Sequence, residues 1–233
     1  MFFPLRDDNP REGFPVVTVG LIAVNVLVHI YQAMMSPELA QRFVSAAGAI
    51  PLEITTLTDI VRYPDHPAAI VPIPLTLLTS MFVHGGWIHL ISNMWYLWLF
   101  GDNVEDSMGR LRFILFYLLV GLAAALLHTF IDPRSAVPMV GASGAIAGIL
   151  GAYLIRFPHA NVKCLLFIVF FVTFINVPAF IVLGFWIVIQ LFQALTGHGS
   201  NVAWFAHIGG FVAGLLLIKL FVRSRSEPPG RDG

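Results

Sequence analysis

A four-residue stretch inside a long apolar run, GASG at Gly141–Gly144, holds one reactive side chain, the hydroxyl of Ser143. A serine hydroxyl becomes a nucleophile when a base takes its proton, and histidine is the usual base. Attack on a carbonyl then creates an oxyanion, which needs hydrogen-bond donors aimed at it. His207 is a candidate base, and His89 and Asn93 are candidate donors. The backbone N–H of Ser143, at the start of a helix, adds a further donor and a favourable helix dipole.

Spacing supports a shared pocket for these residues. His89 and Asn93 are four residues apart and therefore lie on one face of a helix. With His84 they form a polar group at one end of an apolar segment, where ionisable residues are functional candidates by default. The nearest acidic residues lie at the opposite end of that segment (Asp102, Glu105 and Asp106). The pattern therefore predicts a Ser–His dyad without a carboxylate.

The composition predicts a membrane protein. Of the 233 residues, 58% are hydrophobic and 11% are charged, whereas soluble domains carry about 25% charged residues. The net charge of zero argues against nucleic-acid binding. The single cysteine, Cys164, excludes an intrachain disulfide and a cysteine-based zinc site. No HExxH motif occurs, which argues against a metalloprotease.

Hydrophobic segments of about twenty residues predict an all-α polytopic bundle of six transmembrane helices. The six are Pro15–Met35, a span beginning near Trp87, Leu111–Ile131, a span from Ser143 to Arg156, roughly Pro178–Leu195, and about Ala203–Phe221. The apolar region Val162–Asn176 is interpreted as an interfacial or re-entrant piece. Residues 1–14 are expected to form a cytoplasmic N-terminal segment, 15–221 the membrane domain, and 222–233 a disordered cytoplasmic tail.

Basic residues favour one orientation of this bundle. With the N-terminus inside, ten Lys and Arg residues lie inside and three, Arg42, Arg62 and Arg134, lie outside. The positive-inside rule therefore predicts that both termini are cytoplasmic. Ser143 then lies at the outer end of the fourth span.

Glycines suggest that two of these spans pack closely. Gly144 and Gly148 on the fourth span, and Gly210 and Gly214 on the sixth, are spaced four residues apart, as small residues are in closely packed membrane helices. Gly141, like Gly144, also keeps side chains away from the hydroxyl. On this pattern alone, a packing role for Ser143 is favoured over a catalytic one.

The other histidines have a simpler interpretation. His29 and His128 are taken as structural residues without polar neighbours, and His66, His159 and His198 as solvated loop residues.

Three motifs together resemble the rhomboid family of intramembrane serine proteases. They are HGGWIHLISN at His84–Asn93, followed by FGDNVEDSMGRLRF, then GASG at Gly141–Gly144 and AHIGGFVAG at Ala206–Gly214. A lone GxSG motif would be weak evidence, but three motifs in this order on the second, fourth and sixth spans are specific. The resemblance covers roughly Pro15–Phe221.

The resemblance implies a role for each site residue. Ser143 would be the nucleophile and His207 the general base. His89, Asn93 and the Ser143 amide would form the oxyanion hole, and His84 would lie near a water-accessible cavity. Members of this family cleave peptide bonds in or near transmembrane segments of other membrane proteins, without a metal or cofactor. The implied partners are therefore transmembrane substrates and the lipid bilayer.

Two positions depart from the family pattern. Many relatives have an aromatic residue one turn after the serine that stacks on the catalytic histidine, where this chain has Ala147. Trp204 or Phe211 is a possible substitute. Many relatives also carry Trp-Arg in the first outer loop, where this chain has Leu75 and Thr76.

Two other classes of function stay open at this point. A non-catalytic rhomboid-like protein would bind client helices without cutting them. A transporter or channel would usually place its polar residues along a path through the bilayer, whereas these gather near one side. The size, the short tails and the absence of extra domains suggest the inner membrane of a bacterium. The sequence does not predict an oligomeric state.

Overall fold

The computed structural model describes residues 2–60, 71–168, 171–197 and 202–222, and within these ranges the chain is mostly helical. His66, His198 and residues 223–233 of the predicted tail lie outside the described residues. The helices are α1 (Val16–Ala33), α2 (Pro37–Ala47), α3 (Pro51–Thr56), α4 (Ile73–Thr79, followed by a 3-10 turn, Ser80–Phe82), α5 (Trp87–Met108), α6 (Arg110–Ile131), α7 (Ser143–Arg156), α8 (Ala179–Thr196) and α9 (Trp204–Phe221).

Boundaries between secondary-structure elements lie where glycine and proline predict them. Gly85 and Gly86 separate α4 and its 3-10 turn from α5, and the two segments meet at 78°. The strand that precedes α8 ends at Pro178, and α8 begins at the next residue. Proline has no backbone N–H to donate within a helix, so it is tolerated at this boundary. Helices occupy the six predicted positions, and their bounds lie within a few residues of the bounds that the sequence predicts.

The sequence predicts six spans, but fewer helices of the described residues have the length and composition to cross a membrane. Among the described residues, α1, α6, α8 and α9 are long and apolar enough to cross a membrane, and the bent pair of α4 and α5 makes a fifth. α7 has only 14 residues, about 21 Å at 1.5 Å per residue, against a hydrocarbon core of about 30 Å. It can be short because other helices surround it, so it faces protein rather than lipid. Every residue from Ala145 to Tyr153 is buried.

A small antiparallel sheet corrects the all-α fold class. It consists of β1 (Phe2–Asp7), β2 (Asn161–Ile168) and β3 (Phe171–Pro178), in the order β1-β2-β3. Phe3 pairs with Leu165, which pairs with Phe174 on its other side. The region expected as an interfacial or re-entrant piece therefore consists largely of strand. The N-terminal segment is likewise not an isolated tail, because its strand completes the sheet.

Side chains from α5 and α7 attach β1 to the helices. The Trp95 indole N–H donates to the carbonyl of Pro4 at 2.8 Å. The Tyr153 hydroxyl donates to the Asp7 carboxylate, and Asn103 Nδ2 donates to the same oxygen at 3.0 Å. The strand β1 is thereby joined to the end of α7 that lies opposite Ser143.

The acidic residues of α5 stabilise the start of α1. Glu105 accepts hydrogen bonds from the backbone N–H groups of Val17 and Thr18, at 3.0 and 2.8 Å. Asp106 accepts from the backbone N–H of Glu12. A carboxylate is favourable at a helix N-terminus, where N–H groups lack partners within the helix. These acids therefore serve the packing of α1, at the end of the bundle opposite Ser143.

Candidate active site

Ser143 is the first residue of α7 and follows a tight backbone turn. Gly141, two residues earlier, has φ +118°, a conformation that residues with a Cβ rarely adopt. Its N–H donates to the carbonyl of Ser80 at 2.9 Å, which ties the turn to the 3-10 segment. A Cβ on Gly141 would lie 2.7 Å from His89 Nε2. Glycine therefore permits both the turn and the close approach of the His89 ring.

Glycine also sets the distance between α7 and α9. A Cβ built on Gly210 would lie 1.9 Å from the carbonyl oxygen of Gly144, and one on Gly214 would lie 1.9 Å from that of Gly148. Real Cβ atoms essentially never come closer than 3.0 Å to such an atom. The two helices therefore approach at backbone contact along two turns, as small residues allow in membranes.

This close approach brings Ser143 and His207 into hydrogen-bond distance. His207 lies in the first turn of α9, and its Nε2 is 2.8 Å from Ser143 Oγ. Both side chains are half-buried. A base at this distance can take the hydroxyl proton directly.

The two predicted donors lie on α5 beside this pair. His89, Asn93, Ser143 and His207 all line one open cavity of about 960 Å³. Asn93 is 5% exposed, and its Nδ2 donates one N–H to the His89 carbonyl at 2.8 Å, which leaves its second N–H for another acceptor. His89 Nδ1 accepts from the Gly85 backbone N–H at 3.4 Å. Its ring proton therefore lies on Nε2, the atom next to the turn before Ser143.

His84 lies behind the cavity wall, with its ring centroid 5.1 Å from that of His89, which lines the cavity. It is 0% exposed and is not among the cavity-lining residues of the described chain. Its Nε2 accepts from the backbone N–H of Ala142 at 3.5 Å, and its carbonyl accepts from Gln32 Nε2 at 3.0 Å. The chain bends by 78° just before α5, and His84 lies within that bend. It supports the backbone beside Ser143 instead of facing water.

Two other histidines depart from expectation. His29 has polar neighbours, since its ring centroid is 6.4 Å from that of His84 and 4.6 Å from that of Trp87. His128 lines the cavity. His159 is exposed, as expected for a loop residue, and its ring contacts Phe180.

Two residues that contact His207 were missed by the sequence analysis, and both lie on α8. Gln190 Oε1 is 2.7 Å from His207 Nδ1. The Trp186 ring lies 6.0 Å from the imidazole at an interplanar angle of 34°. Trp186 and Gln190 are four residues apart, which places them on one face of an apolar helix and could have marked them as candidates. They belong to no known motif, so the sequence did not link them to His207.

Aromatic rings beside His207 come from α8 and α9, whereas α7 has the small residue Ala147 at the expected stacking position. Trp204, one of the two expected substitutes, meets the imidazole edge-on with centroids 5.7 Å apart. Phe211 was the second expected substitute, and its ring packs against that of Trp186 with centroids 6.1 Å apart. The more nearly parallel ring on the histidine therefore comes from α8 instead of α7.

The match to known proteins covers this whole assembly. A family model of the rhomboid domain matches residues 74–224, which include every helix that contributes to the cavity. The chain belongs to the rhomboid family. Rhomboid protein 1, mitochondrial, of Saccharomyces cerevisiae is 32% identical over 151 residues, which cover 61% of this chain and 40% of that protein. RHOMBOID-like protein 5 of Arabidopsis thaliana is 31% identical over 168 residues, covering 67% of this chain and 49% of that protein.

A bacterial rhomboid is also similar. Rhomboid protease GluP of Bacillus subtilis is 36% identical over 138 residues, which cover 59% of this chain and 24% of that protein. In each comparison the matched region spans less than half of the relative's length. Two further relatives, both of Arabidopsis thaliana, carry the words mitochondrial and chloroplastic in their names. The similarity therefore establishes a multi-pass integral membrane rhomboid but does not support the expected bacterial inner membrane.

Proposed function

We propose that this rhomboid is an intramembrane serine endopeptidase that cleaves transmembrane segments of other membrane proteins. The observation that carries the proposal is the 2.8 Å distance between Ser143 Oγ and His207 Nε2, at the wall of an open cavity. A serine used only for packing needs no base at that distance. The name of the Bacillus subtilis relative, a rhomboid protease, agrees with the proposal.

The proposed reaction has two steps. His207 Nε2 takes the Ser143 proton as Oγ attacks the scissile carbonyl, and the same nitrogen then gives the proton to the leaving amine. Water entering through the cavity next attacks the acyl-enzyme, with His207 again as base. Asn93, the Nε2–H of His89 and the Ser143 amide stabilise the oxyanion in both steps.

The proposed orientation places Ser143 on the outer side of the membrane, with both termini in the cytoplasm. Several basic residues gather at the end opposite Ser143. Arg11 pairs with Asp102 at 3.5 Å near the end of α5. Arg112 donates to the carbonyl of Phe221 at 3.3 Å, at the end of α9. This distribution is the one that the positive-inside rule assigns to a cytoplasmic face.

The test is cleavage of a transmembrane reporter, with small residues at its outer helix end, in proteoliposomes. We expect wild type to cut it, and Ser143→Ala and His207→Ala each to lose cleavage. Equal cleavage by wild type and Ser143→Ala would overturn the mechanism. A wild-type protein that binds the reporter with the same affinity as Ser143→Ala, and cuts neither this reporter nor others, would favour the client-binding alternative.

A further inference from the structure

The α8 helix carries one buried amide, that of Gln190, among mostly apolar side chains. Gln190 is 6% exposed. Large apolar side chains one and two residues further along are exposed, Leu191 at 41% and Phe192 at 65%. An amide in an apolar environment destabilises the fold unless it is hydrogen-bonded, and polar residues within membrane helices are functional candidates. Gln190 therefore requires an explanation that packing does not give.

The partner of this amide is the nitrogen of His207 that does not face serine. Gln190 Oε1 lies 2.7 Å from Nδ1, while Nε2 lies 2.8 Å from Ser143 Oγ. An amide oxygen only accepts hydrogen bonds, so it requires the proton of a neutral imidazole to be on Nδ1. Nε2 then presents its lone pair to the serine hydroxyl. This is the tautomer that a general base needs.

We propose that Gln190 is a positioning residue that fixes the tautomer and the orientation of His207 toward Ser143. The proposal rests on the proposed function and deepens it, because a hydrogen bond to Gln190 then orients the histidine of the Ser–His dyad. Trp186, one turn earlier on α8, packs on the same imidazole and restricts its tilt. Two side chains of α8 therefore lie against the His207 ring, one at its Nδ1 and one beside its face.

An amide suits this position better than a carboxylate does. A buried carboxylate would bring a second charge into the membrane interior, which is costly. A neutral acceptor selects the same tautomer without that charge. The cost is a weaker stabilisation of the imidazolium that forms during reaction, because hydrogen bonds to charged acceptors are about twice as strong.

The experiment is steady-state cleavage of the reporter by wild type, Gln190→Met and Gln190→Glu in proteoliposomes. Methionine has a similar shape and lacks the amide oxygen. We expect Gln190→Met to lower kcat at least about 10-fold with KM unchanged, against about 10⁴-fold where a carboxylate partner is lost from a triad. Glutamate keeps an acceptor oxygen, so Gln190→Glu should recover most of the lost kcat. Gln193→Met, a half-buried glutamine on the same helix, is the matched control and should retain the wild-type kcat.

The outcomes separate this inference from the proposed function. Active wild type with an equally active Gln190→Met would overturn the role of Gln190 and leave the Ser–His mechanism intact. A Gln190→Glu protein as impaired as Gln190→Met would also overturn it, since an amide that acts as a donor is not replaced by glutamate. If Gln190→Met does not fold, Gln190→Glu decides alone: retained kcat supports the acceptor role, and lost kcat in a protein that unfolds at the wild-type temperature overturns it. Inactive wild type would contradict the proposed function itself.

Discussion

In the proposed mechanism the Asn93 amide is an oxyanion donor, and in the structure it lines the cavity with one N–H donated to the His89 carbonyl. We expect Asn93→Ala to lower kcat by about 10–1000-fold, because a single oxyanion donor typically contributes that much. KM should change little, since the interaction strengthens only in the transition state. The measurement is reporter cleavage over a range of substrate densities in the bilayer.

A matched control for this prediction lies on α1. Asn25 is also buried and also donates its Nδ2 to the carbonyl four residues earlier, Leu21, at 2.8 Å. Asn25→Ala should cost a similar local hydrogen bond and leave kcat near the wild-type value. Equal losses in the two variants would mean that Asn93 supports folding and not the oxyanion.

At the residue scale, the sequence was informative where chemistry has a motif. Ser143 and His207 stand in short patterns with glycine neighbours, and the structure brings them together. Gln190 and Trp186 have no such pattern, because their contact with His207 depends on the rotation of α8 about its axis. The full burial of His84 also has no sequence pattern, because it depends on the 78° bend before α5.

At the scale of helices, the α7–α9 contact sets the distance between Ser143 and His207. A methyl group on Gly214 would have to retreat roughly 1 Å from the Gly148 carbonyl, starting from 1.9 Å. We expect Gly214→Ala to destabilise the fold by about 1–3 kcal/mol, as overpacking does. It should also lower cleavage about 100-fold, because a 1 Å misplacement of reacting groups has that effect.

Gly184→Ala is the control for this helix contact. Gly184 lies on α8, and a Cβ there meets nothing within 4 Å. Thermal unfolding in detergent and reporter cleavage should both stay close to wild type in that variant. Gly214→Ala with unchanged unfolding and cleavage would contradict the account of backbone contact between α7 and α9.

The helices were easier to predict than the sheet for a physical reason. Runs of about twenty apolar residues define membrane helices almost independently of context. The strands β2 and β3 are also nearly continuous apolar runs, so they lack the alternation typical of a half-buried strand. Their partner β1 is distant in the chain, with Phe3 pairing with Leu165. No local pattern could reveal that pairing.

At the scale of the whole molecule, a titratable contact joins the sheet to the bundle. Asp7 lies against Tyr153, Asn103 and the carboxylates of Asp102 and Asp8. Burial raises the pKa of Asp7 from 3.8 to about 6, and the two neighbouring carboxylates add to the rise. The folded state therefore binds this proton more tightly than the unfolded state does. The resulting stabilisation is complete below about pH 4 and is lost as pH rises through about 6.

Asp7→Asn tests this linkage. Asparagine keeps an oxygen that accepts from Tyr153 and Asn103 but does not titrate. We expect the free energy of unfolding of Asp7→Asn to fall less than that of wild type between about pH 5 and about pH 7, because only wild type loses the Asp7 proton over that range. The measurement is denaturant unfolding in detergent across that range.

A neighbouring variant separates the charge from the contact. Asn9 Nδ2 donates to Asn103 Oδ1 at 2.8 Å within the same cluster. Asn9→Ala should lower stability by the same amount at every pH and leave the wild-type slope. Identical slopes for Asp7→Asn and wild type would show that the proton on Asp7 does not contribute.

The pairing of β1 with β2 has a consequence for biosynthesis. During translation the first strand leaves the ribosome about 160 residues before its partner at Leu165, roughly 10 to 30 s at common elongation rates. For that interval β1 waits unpaired while α1, α5, α6 and α7 enter the bilayer. The sheet is therefore a late closing step, and a nascent chain stalled before residue 161 would expose its first residues to a protease that the finished protein resists.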